Sequence, residues 1–532
     1  MVSQVTKGKG EGQGYMGPKR FGLFRKRCRS FCVTGLSVAM IQALPNQAEA
    51  DVRFVDRAGS LTIAHEYTGG WDHFVGGGVA VFDCDGDARP ELFVAGGASP
   101  ARLFLNRSEG ELRFEVAETE FPTGVTGAYP LDIDGDGVTD LAVLRNGPNL
   151  WLKGAGDCIF APFDAALNLP EGDDWSTAFT ATWEPGQGLP TMVVANYVDA
   201  DHPDAPFGTC ATNWLIRPEG ARYGEPIPLE PGFCALSALI SDWRRDGVPM
   251  LRLSNDRHYY VRDGREQMWA LDPLRELGEA DGWPVQRLWG MGIGSRDLTG
   301  DGRPEVMLTS MGDQAMMLNR GDGFDPAPYE IGTYAHRPHA GGDGRPSTGW
   351  HAEFGDVNND GRDDLFIAKG NVDQMPDMAT RDPNNLLIQG ADGRFTEASV
   401  EAGVASEARS RGAALADLNG DGLLDLVVVN RRAALEIWQN ATEGAGGWLA
   451  VRLRQPGGNR DAIGAFVEVE TDAGRQTREV TVGGGHVGGQ LGAHHFGLGE
   501  ADVARVRVIW PDGEVGDWAE LSAGRIHEIV RD

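Results

Sequence analysis

Short apolar runs of roughly four to six residues recur along the chain, each close behind a stretch rich in Asp and Gly. Asp425-Leu-Val-Val-Val is one such run, and small residues such as Gly76-Gly-Gly-Val-Ala-Val lead into the acidic stretch. A turn then leads to a second short run, for example Arg102-Leu-Phe-Leu. Apolar runs of this length bounded by turn residues predict β-strands.

This unit occurs seven times, and the repetition predicts the fold. The first loop positions of the seven units are 83, 132, 183, 242, 297, 356 and 417. Their spacings run from 49 to 61 residues, which fits one four-stranded propeller blade per unit. The small residues suit crowded strands near a propeller axis. We therefore expect an all-β, seven-bladed β-propeller over residues 51–443.

The ring is expected to close by strand exchange. Phe54-Val-Asp-Arg-Ala-Gly resembles Phe395-Thr-Glu-Ala-Ser-Val-Glu-Ala-Gly, a segment in the outer-strand position of a later unit. The N-terminal segment would then supply the outer strand of the last blade.

The C-terminal residues 448–532 show a different pattern. Apolar and polar residues alternate in three segments, 465–471, 476–482 and 504–510. Period-two alternation predicts half-buried strands, and together they suggest a small antiparallel β-sandwich. Gly444-Ala-Gly-Gly is the predicted linker.

The N-terminal fifty residues have the composition of a secretory signal peptide. A basic run ends at Arg29, Phe31 to Leu44 is apolar, and Ala48-Glu49-Ala50 fits a cleavage site. The translation start is left open between Met1 and Met16. The net charge is -30 for the whole chain, and residues 1–50 contribute +6, which leaves -36 after cleavage. This charge argues against nucleic acid or an anionic membrane as partner.

Four cysteines remain after the predicted cleavage: Cys84, Cys158, Cys210 and Cys234. Export to the periplasm or the cell exterior permits disulfides. Cys210–Cys234 is the favoured pair because an insertion loop separates the two, although spacing alone does not fix the connectivity.

The acidic loops have the chemistry of calcium cages. Calcium takes six to eight oxygen ligands, and alternate residues of a tight loop direct their oxygens inward. A carboxylate at loop position 9 closes the cage, earlier than the closing Glu at position 12 of an EF-hand, and strands rather than helices flank the loop. Five loops keep acidic or oxygen-bearing residues at positions 1, 3, 5 and 9, which predicts about five structural Ca²⁺ sites. The five sets are Asp83, Asp85, Asp87 and Glu91; Asp132, Asp134, Asp136 and Asp140; Asp297, Thr299, Asp301 and Glu305; Asp356, Asn358, Asp360 and Asp364; and Asp417, Asn419, Asp421 and Asp425.

Two loops have lost the ligand set and are predicted to be free of metal. In the loop that starts at Asp242, position 3 is Arg244, whose guanidinium would replace the cation, and position 9 is Met250. The loop from Trp183 to Thr191 has also lost its carboxylates at these positions. Because the strands around both loops still match, the expected metal is structural.

These loops resemble the FG-GAP/VCBS repeats of integrin α-subunit propellers. The C-terminal order Gly458-Asn-Arg-Asp-Ala-Ile-Gly-Ala, Gly483-Gly-Gly-His-Val, His495-Phe-Gly-Leu-Gly and Val508-Ile-Trp-Pro-Asp-Gly looks like the ASPIC/UnbV domain of the cartilage acidic protein family. The resemblance implies an FG-GAP propeller followed by a small β domain, in a secreted protein with calcium-related and adhesion or matrix roles. The run His486-Val-Gly-Gly-Gln departs from the Tyr-Leu-Ser-like run common in that family.

Other chemistry-bearing residues have simpler interpretations. His336, His339 and His351 suit a transition-metal site but fit a polar loop on a propeller face better. A second set, His486, His494 and His495, could also act as ligands, but the family resemblance favours a structural turn. Seven tryptophans in the middle of the chain could stack on sugars but are more typical of packing between blades. They are Trp175, Trp183, Trp214, Trp243, Trp269, Trp283 and Trp289.

We interpret the chain as a secreted or periplasmic calcium-binding module for a protein or polysaccharide partner. The motifs of serine hydrolases, zinc proteases and nucleotide-binding enzymes are absent from the sequence, which favours a binding role over an enzymatic one. Two alternatives stay open: an extracellular hydrolase that uses the propeller channel, and an accessory subunit of an exported enzyme complex.

Overall fold

The computed structural model describes residues 51–205, 208–256, 261–334, 344–373 and 375–531. The predicted signal peptide, His336 and His339 lie outside the described residues. In the described part, strands dominate and a single α-helical turn spans Ser399–Ala402. Short 3₁₀ turns occupy Ala58–Ser60, Trp71–His73, Ala165–Leu167, Glu279–Asp281 and Tyr329–Ile331. The predicted all-β class is confirmed.

In the described part of the chain, seven sheets form the propeller, and we number them blades 1 to 7; six have four strands, and that of blade 1 has Gln490–Leu491 of the C-terminal domain as a fifth. The inner strands of blades 1 to 7 are Val79–Phe82, Val125–Leu131, Ser176–Thr182, Ala235–Ser241, Gly290–Arg296, Gly349–Gly355 and Ser410–Ala416. The second strands are Glu91–Val94, Asp140–Arg145, Thr191–Asn196, Met250–Asn255, Glu305–Ser310, Asp364–Lys369 and Asp425–Asn430. The third strands are Arg102–Asn106, Leu150–Gly154, Asn213–Ile216, Gln267–Leu271, Ala315–Asn319, Asn385–Gln389 and Glu436–Asn440. The outer strands are Phe114–Val116, Phe160–Pro162, Ile227–Leu229, Leu274–Glu276, Phe324–Pro326, Phe395–Glu397 and, for blade 7, Phe54–Asp56.

The ring is closed by the N-terminal segment. Phe54–Asp56 pairs antiparallel with the third strand of blade 7, with Phe54 opposite Asn440. Each inner strand contacts the inner strand of the next blade, and that of blade 7 contacts that of blade 1. Strand exchange between the two ends of the ring therefore occurs as predicted, and it covers sheet edges that would otherwise be exposed.

The C-terminal domain consists of two sheets. One has the strand order His494–Gly499, Gly447–Arg454, Arg525–Val530, and the other Gly474–Glu479, Phe466–Thr471, Val503–Ile509, Ala519–Ser522. The prediction of an entirely antiparallel sandwich is wrong in one pair, because Gly447–Arg454 and Arg525–Val530 run parallel. The last strand reaches this sheet by a crossover from the other sheet, so it enters in the same direction as its neighbour.

The C-terminal domain plugs the propeller axis with the segment Val482–Leu491, which we call the plug. Gly483 and Gly485 bridge to the inner strands of blades 4 and 5, Gly488 bridges to that of blade 2, and Gln490–Leu491 pairs in parallel with the inner strand of blade 1. The φ angles of Gly483, Gly484 and Gly485 are +111°, +79° and +55°, a region that favours glycine. The glycine-rich run thus folds back through a narrow channel.

The inner strands make room for the plug because they carry glycine at the contact points. A Cβ on Gly78 or Gly127 would lie 1.6 or 1.7 Å from the Val487 carbonyl oxygen. His486, at the tip of the plug, is fully buried against Trp350, with ring centroids 5.0 Å apart. The prediction that small residues line the crowded inner strands near the axis is confirmed. The space that these residues leave is filled by the plug, which belongs to the C-terminal domain.

A shared hydrophobic core joins the two domains. Tyr129 and Phe179 of blades 2 and 3 belong to the same buried cluster as Val451, Val482 and Phe496 of the C-terminal domain. The described residues from 51 onward accordingly belong to one compact unit. Apolar burial of this kind is the main favourable contribution to folding, so the C-terminal domain stabilises the propeller.

Within the described residues there are two disulfides, Cys84–Cys158 between blades 1 and 2 and the favoured pair Cys210–Cys234 between blades 3 and 4. Cys84 follows the first acidic residue of blade 1, and Cys158 lies just before the outer strand of blade 2. The first disulfide therefore ties an acidic loop to the neighbouring blade.

Candidate metal centres in the acidic loops

Every acidic loop joins the inner strand of its blade to the second strand, so all of them lie on one face of the ring. In blade 2 the inner strand ends at Leu131, the loop starts at Asp132, and the closing acid Asp140 is the first residue of the second strand. The closing acids of the other four sets, Glu91, Glu305, Asp364 and Asp425, begin their second strands in the same way.

The acid at position 1 organises the loop by accepting backbone amides. Asp132 accepts the amides of Gly135 at 2.8 Å and Gly137 at 2.9 Å on its two carboxylate oxygens. The first acids of the other four sets accept two or three backbone amides from the same stretch of their loops. In blade 1 the position of Gly137 is taken by Ala88, which adopts a φ of +67° there. The turn is therefore retained even where glycine is absent.

The closing acid connects three segments of the blade. Asp140 accepts the amide of Ile133 at 2.8 Å from the loop and the amide of Gly154 at 2.8 Å from the end of the third strand. Asp425 does the same with Leu418 at 3.0 Å and Asn440 at 2.8 Å. Both closing acids are fully buried. The carboxylate at position 9 is thus part of the framework of the blade.

Burial makes these carboxylates poor at holding a charge without a cation. The pKa values of Glu91 and Asp140 are raised to about 8, mainly by removal from water and in part by nearby acidic residues. Burial likewise raises the pKa of Asp132 to about 6 and that of Glu305 to about 7. A divalent cation would favour the ionised forms, since an opposite charge within a few ångströms lowers a carboxyl pKa.

In two loops the carboxylate oxygens converge closely. The ligand atoms of Asp83, Asp85 and Glu91 lie within 4.8 Å of one another, and so do those of a second trio in blade 2. That trio is Asp132, Asp134 and Asp136. An all-oxygen, carboxylate-rich donor set fits a hard divalent ion such as Ca²⁺.

The other three loops have a neutral residue at position 3. Asn358 donates its amide to Asp360 at 3.1 Å, and Asn419 donates to Asp421 at 2.8 Å. In blade 6, burial raises the pKa of Asp356 well above its usual value, and the neighbouring charge of Asp360 adds to the effect. The remaining predicted ligands, Asp297, Thr299, Asp301, Asp364, Asp417 and Asp87, occupy the corresponding loop positions. Calcium binding at all five loops stays a prediction.

The two loops without the ligand set are stabilised by arginines. In blade 3, Arg217 pairs with Glu184 at 2.7 Å. In blade 4, Arg244 was expected at the cation position, but its guanidinium lies 4.7 Å from the centroid of the Trp243 ring. The neighbouring Arg245 pairs with Glu468 of the C-terminal domain at 3.2 Å. The guanidinium of Arg244 thus lies over the aromatic face of Trp243, its neighbour in the same loop.

The C-terminal domain packs on the face that carries the acidic loops. Asp242 donates its backbone amide to Glu479 at 2.7 Å, and His495 contacts the Gly422 carbonyl oxygen of the blade 7 loop at 3.0 Å. Arg478 pairs with Asp363, next to the blade 6 closing acid, at 2.8 Å. The loops therefore support the domain interface as well as their own blades.

A cavity of about 630 Å³ lies between the plug, the inner strands and the C-terminal domain. His351, Glu353 and His494 are among the residues that line it. The His351 ring accepts the His486 amide on Nδ1 at 2.9 Å, so its Nε2 carries the proton and donates to Glu353 at 3.2 Å. Gln490 of the plug also donates to Glu353. This polar group is the feature of the axis that resembles a ligand site.

The other histidines and tryptophans singled out from the sequence lie mostly in buried, packed surroundings. Burial lowers the pKa of His486 and of His494 to about 3 and that of His495 to about 4, which keeps all three rings neutral. Four of the seven tryptophans, Trp175, Trp243, Trp269 and Trp283, are buried in hydrophobic clusters, as expected for packing within and between blades. The filling of the propeller axis by residues 482–491 was not predicted from the sequence. Two features could have indicated it, namely the glycine-rich run of this segment and the glycines of the inner strands that it contacts.

Comparison with protein families identifies both parts of the chain. The model for FG-GAP-like repeats matches residues 83–143, 297–367 and 371–464, and the model for ASPIC and UnbV matches residues 455–532. The loops at 183 and 242, which lack the acidic set, fall outside the FG-GAP matches.

Among curated proteins, the chain is similar to Cartilage acidic protein 1. It is 33% identical to the Xenopus tropicalis protein over 128 residues, which is 23% of this chain and 20% of that protein. The human protein is 29% identical over 128 residues, 23% of this chain and 19% of that protein. The matches thus span about a fifth of the relatives' length.

Among solved structures, BBS1N in complex with ARL6DN is similar over 74% of this chain and 97% of that chain, with a TM-score of 0.43 and 10% identity. At these values the likeness adds nothing to the fold described above. In the described part of the chain, no helix has the length and apolarity needed to cross a membrane.

Proposed function

We propose that this chain, which carries FG-GAP-like repeats followed by an ASPIC and UnbV domain, is an exported calcium-binding module that binds a protein or polysaccharide partner. The observation that supports calcium binding most directly is the closing acid. In blade 7, Asp425 is buried, it connects three segments of its blade, and burial raises its pKa well above the usual value. A bound Ca²⁺ would ionise this group and stabilise each blade that carries it.

The metal-binding part is tested by thermal unfolding in calcium and in chelator. Ligand that binds the native state alone stabilises it by about 2.7 kcal/mol per site at a hundred times its Kd. We expect the melting temperature to rise with calcium and to fall with EGTA. Asp425→Asn should reduce the calcium-dependent rise, whereas Met250→Leu, at the same loop position in a blade that lacks the ligand set, should leave it unchanged. An identical melting temperature in calcium and EGTA would refute calcium binding.

The partner-binding part is supported by the arrangement of the two faces. The C-terminal domain covers the acidic-loop face, so the opposite face is the one left for a partner. There the connection between the second and third strands of blade 3 includes Cys210, which is held to Cys234, and Trp71 is 45% exposed nearby at the rim of an aromatic cluster. Long loops on a rigid scaffold are typical binding elements.

Partner binding is tested with the calcium-loaded protein on a glycan array and in pull-downs with a Trp71→Ala variant. Loss of binding in this variant would support the opposite face as the binding surface. Val503→Ala is the matched control, since Val503 is 50% exposed in the C-terminal domain and should not affect binding. Equal loss in both variants would argue against this face.

A second candidate function, hydrolysis in the axial cavity, is favoured by one observation. His351, Glu353 and His494 lie outside the acidic loops and line the same cavity. Turnover of a glycoside or ester that is abolished by Glu353→Gln would support an enzyme. The plug contacts the propeller along most of its length, which weakens the interpretation of the C-terminal domain as a docking unit for another enzyme.

A further inference from the structure

Lys153 brings an ammonium group into the acidic loop of blade 2. Its Nζ contacts the carboxylates of Asp134 and Asp136, the latter at 2.7 Å. Lys153 directly precedes Gly154, whose amide is bound by the closing acid Asp140. The lysine therefore reaches positions 3 and 5 of the loop from the third strand, whose last residue is hydrogen-bonded to the closing acid.

The four other acidic loops lack an ammonium at this place. The residues that occupy the position of Lys153 in the third strands of blades 1, 5, 6 and 7 are Leu105, Leu318, Ile388 and Gln439. The correspondence is set by register, since Leu152 pairs with Leu141 in blade 2 as Met317 pairs with Val306 in blade 5.

Arginines near the other loops make different contacts. Arg303 and Arg362 each pair with the position 5 Asp two residues before them in the chain, at 3.3 and 2.5 Å. In blade 1, Arg89 pairs with Asp87 in the same way, and Arg107 lies 3.6 Å from Asp85. Lys153 differs because a single point charge contacts the acids at positions 3 and 5 together.

We propose that Lys153 supplies the cation of the blade 2 loop, so that this loop binds Ca²⁺ more weakly than the other four. The inference rests on the proposed calcium binding. Positions 3 and 5 are two of the predicted metal ligands, and both are already engaged by charge-assisted hydrogen bonds. A calcium ion would have to displace the ammonium or be repelled by it at short range. We expect the affinity of this one site to be lower by about tenfold or more.

The blade 2 loop lies against the C-terminal domain, so the replacement of calcium by Lys153 affects the domain interface. Gly458 of the C-terminal domain packs against Gly135 and Gly188, and Arg460 donates to the Gly137 carbonyl oxygen. The blade 2 loop is thus a contact site for the C-terminal domain. With a covalently attached cation, this loop keeps its shape at low calcium, and the domain stays docked when other loops lose their ions.

The test counts calcium ions per chain by native mass spectrometry at a series of free calcium concentrations. Lys153→Met removes the ammonium at constant length, and Leu318→Lys introduces one at the matched position in blade 5. We expect Lys153→Met to bind one calcium more than the wild type at intermediate calcium, and Leu318→Lys to bind one fewer. Lys153→Arg keeps the charge and should retain the wild-type count.

Thermal unfolding gives an independent measure that applies even if a variant is unstable without metal. The difference in melting temperature between calcium and EGTA should be larger for Lys153→Met than for the wild type. Equal ion counts and equal calcium affinities in the wild type and Lys153→Met would overturn the proposal while leaving calcium binding intact. Absence of calcium from all of these proteins would overturn both.

Discussion

Gly127→Ala should release the plug from the propeller axis. An added Cβ at this position would lie 1.7 Å from the Val487 carbonyl oxygen, whereas ordinary contact begins at 3.4 Å. Because the obstacle is backbone, the plug must move by about 1.7 Å, the difference between these distances. Such overpacking costs about 1–3 kcal/mol, and each displaced hydrogen bond adds about 1 kcal/mol.

One hydrogen bond at risk is that from the His486 amide to His351, at 2.9 Å. A total near 3 kcal/mol corresponds to about a hundredfold increase in the open population of the plug. Hydrogen exchange of residues 482–491, followed by mass spectrometry, should therefore accelerate by about two orders of magnitude. Gly278→Ala is the matched control, because a Cβ added to Gly278 would meet no atom within 4 Å and the φ of this residue is -136°. Unchanged exchange in Gly127→Ala, with an intact circular dichroism spectrum, would refute a tight plug.

Three further predictions concern charge and cross-links. Burial raises the pKa of Glu91 and Asp140 in the folded protein above the value in the unfolded chain. In EGTA, the free energy of unfolding should therefore fall by at least about 1 kcal/mol as the pH rises from about 4 to about 8, measured by urea titration. Saturating calcium should abolish most of this pH dependence. Replacing Cys84 and Cys158 by Ser should cost about 2–5 kcal/mol, measured in the same titrations. Arg411 is fully buried, lies 3.9 Å from the Trp350 ring centroid and donates to the carbonyl oxygens of Phe74 and Val372. Arg411→Met should therefore lower the melting temperature and shift the tryptophan emission.

The sequence by itself determined the strands, the repeat and the candidate ligands. Period and turn chemistry are local properties, so the register of the acidic loops could be found by aligning one repeat on another. The exchange of Phe54–Asp56 into blade 7 was also readable, because the segment resembles the outer strand that it replaces. The pair Cys210–Cys234 could be favoured because an insertion loop separates the two residues.

The tertiary structure decided what fills the axis and what sits in each loop. The plug lies hundreds of residues from the strands it touches, and Thr180 meets the Val482 carbonyl across 302 positions of sequence. Arg245 pairs with Glu468 across 223 positions of sequence, and Lys153 enters the blade 2 loop from the third strand. A charge is attracted to the nearest partner in space, and separation along the chain does not specify which partner that is.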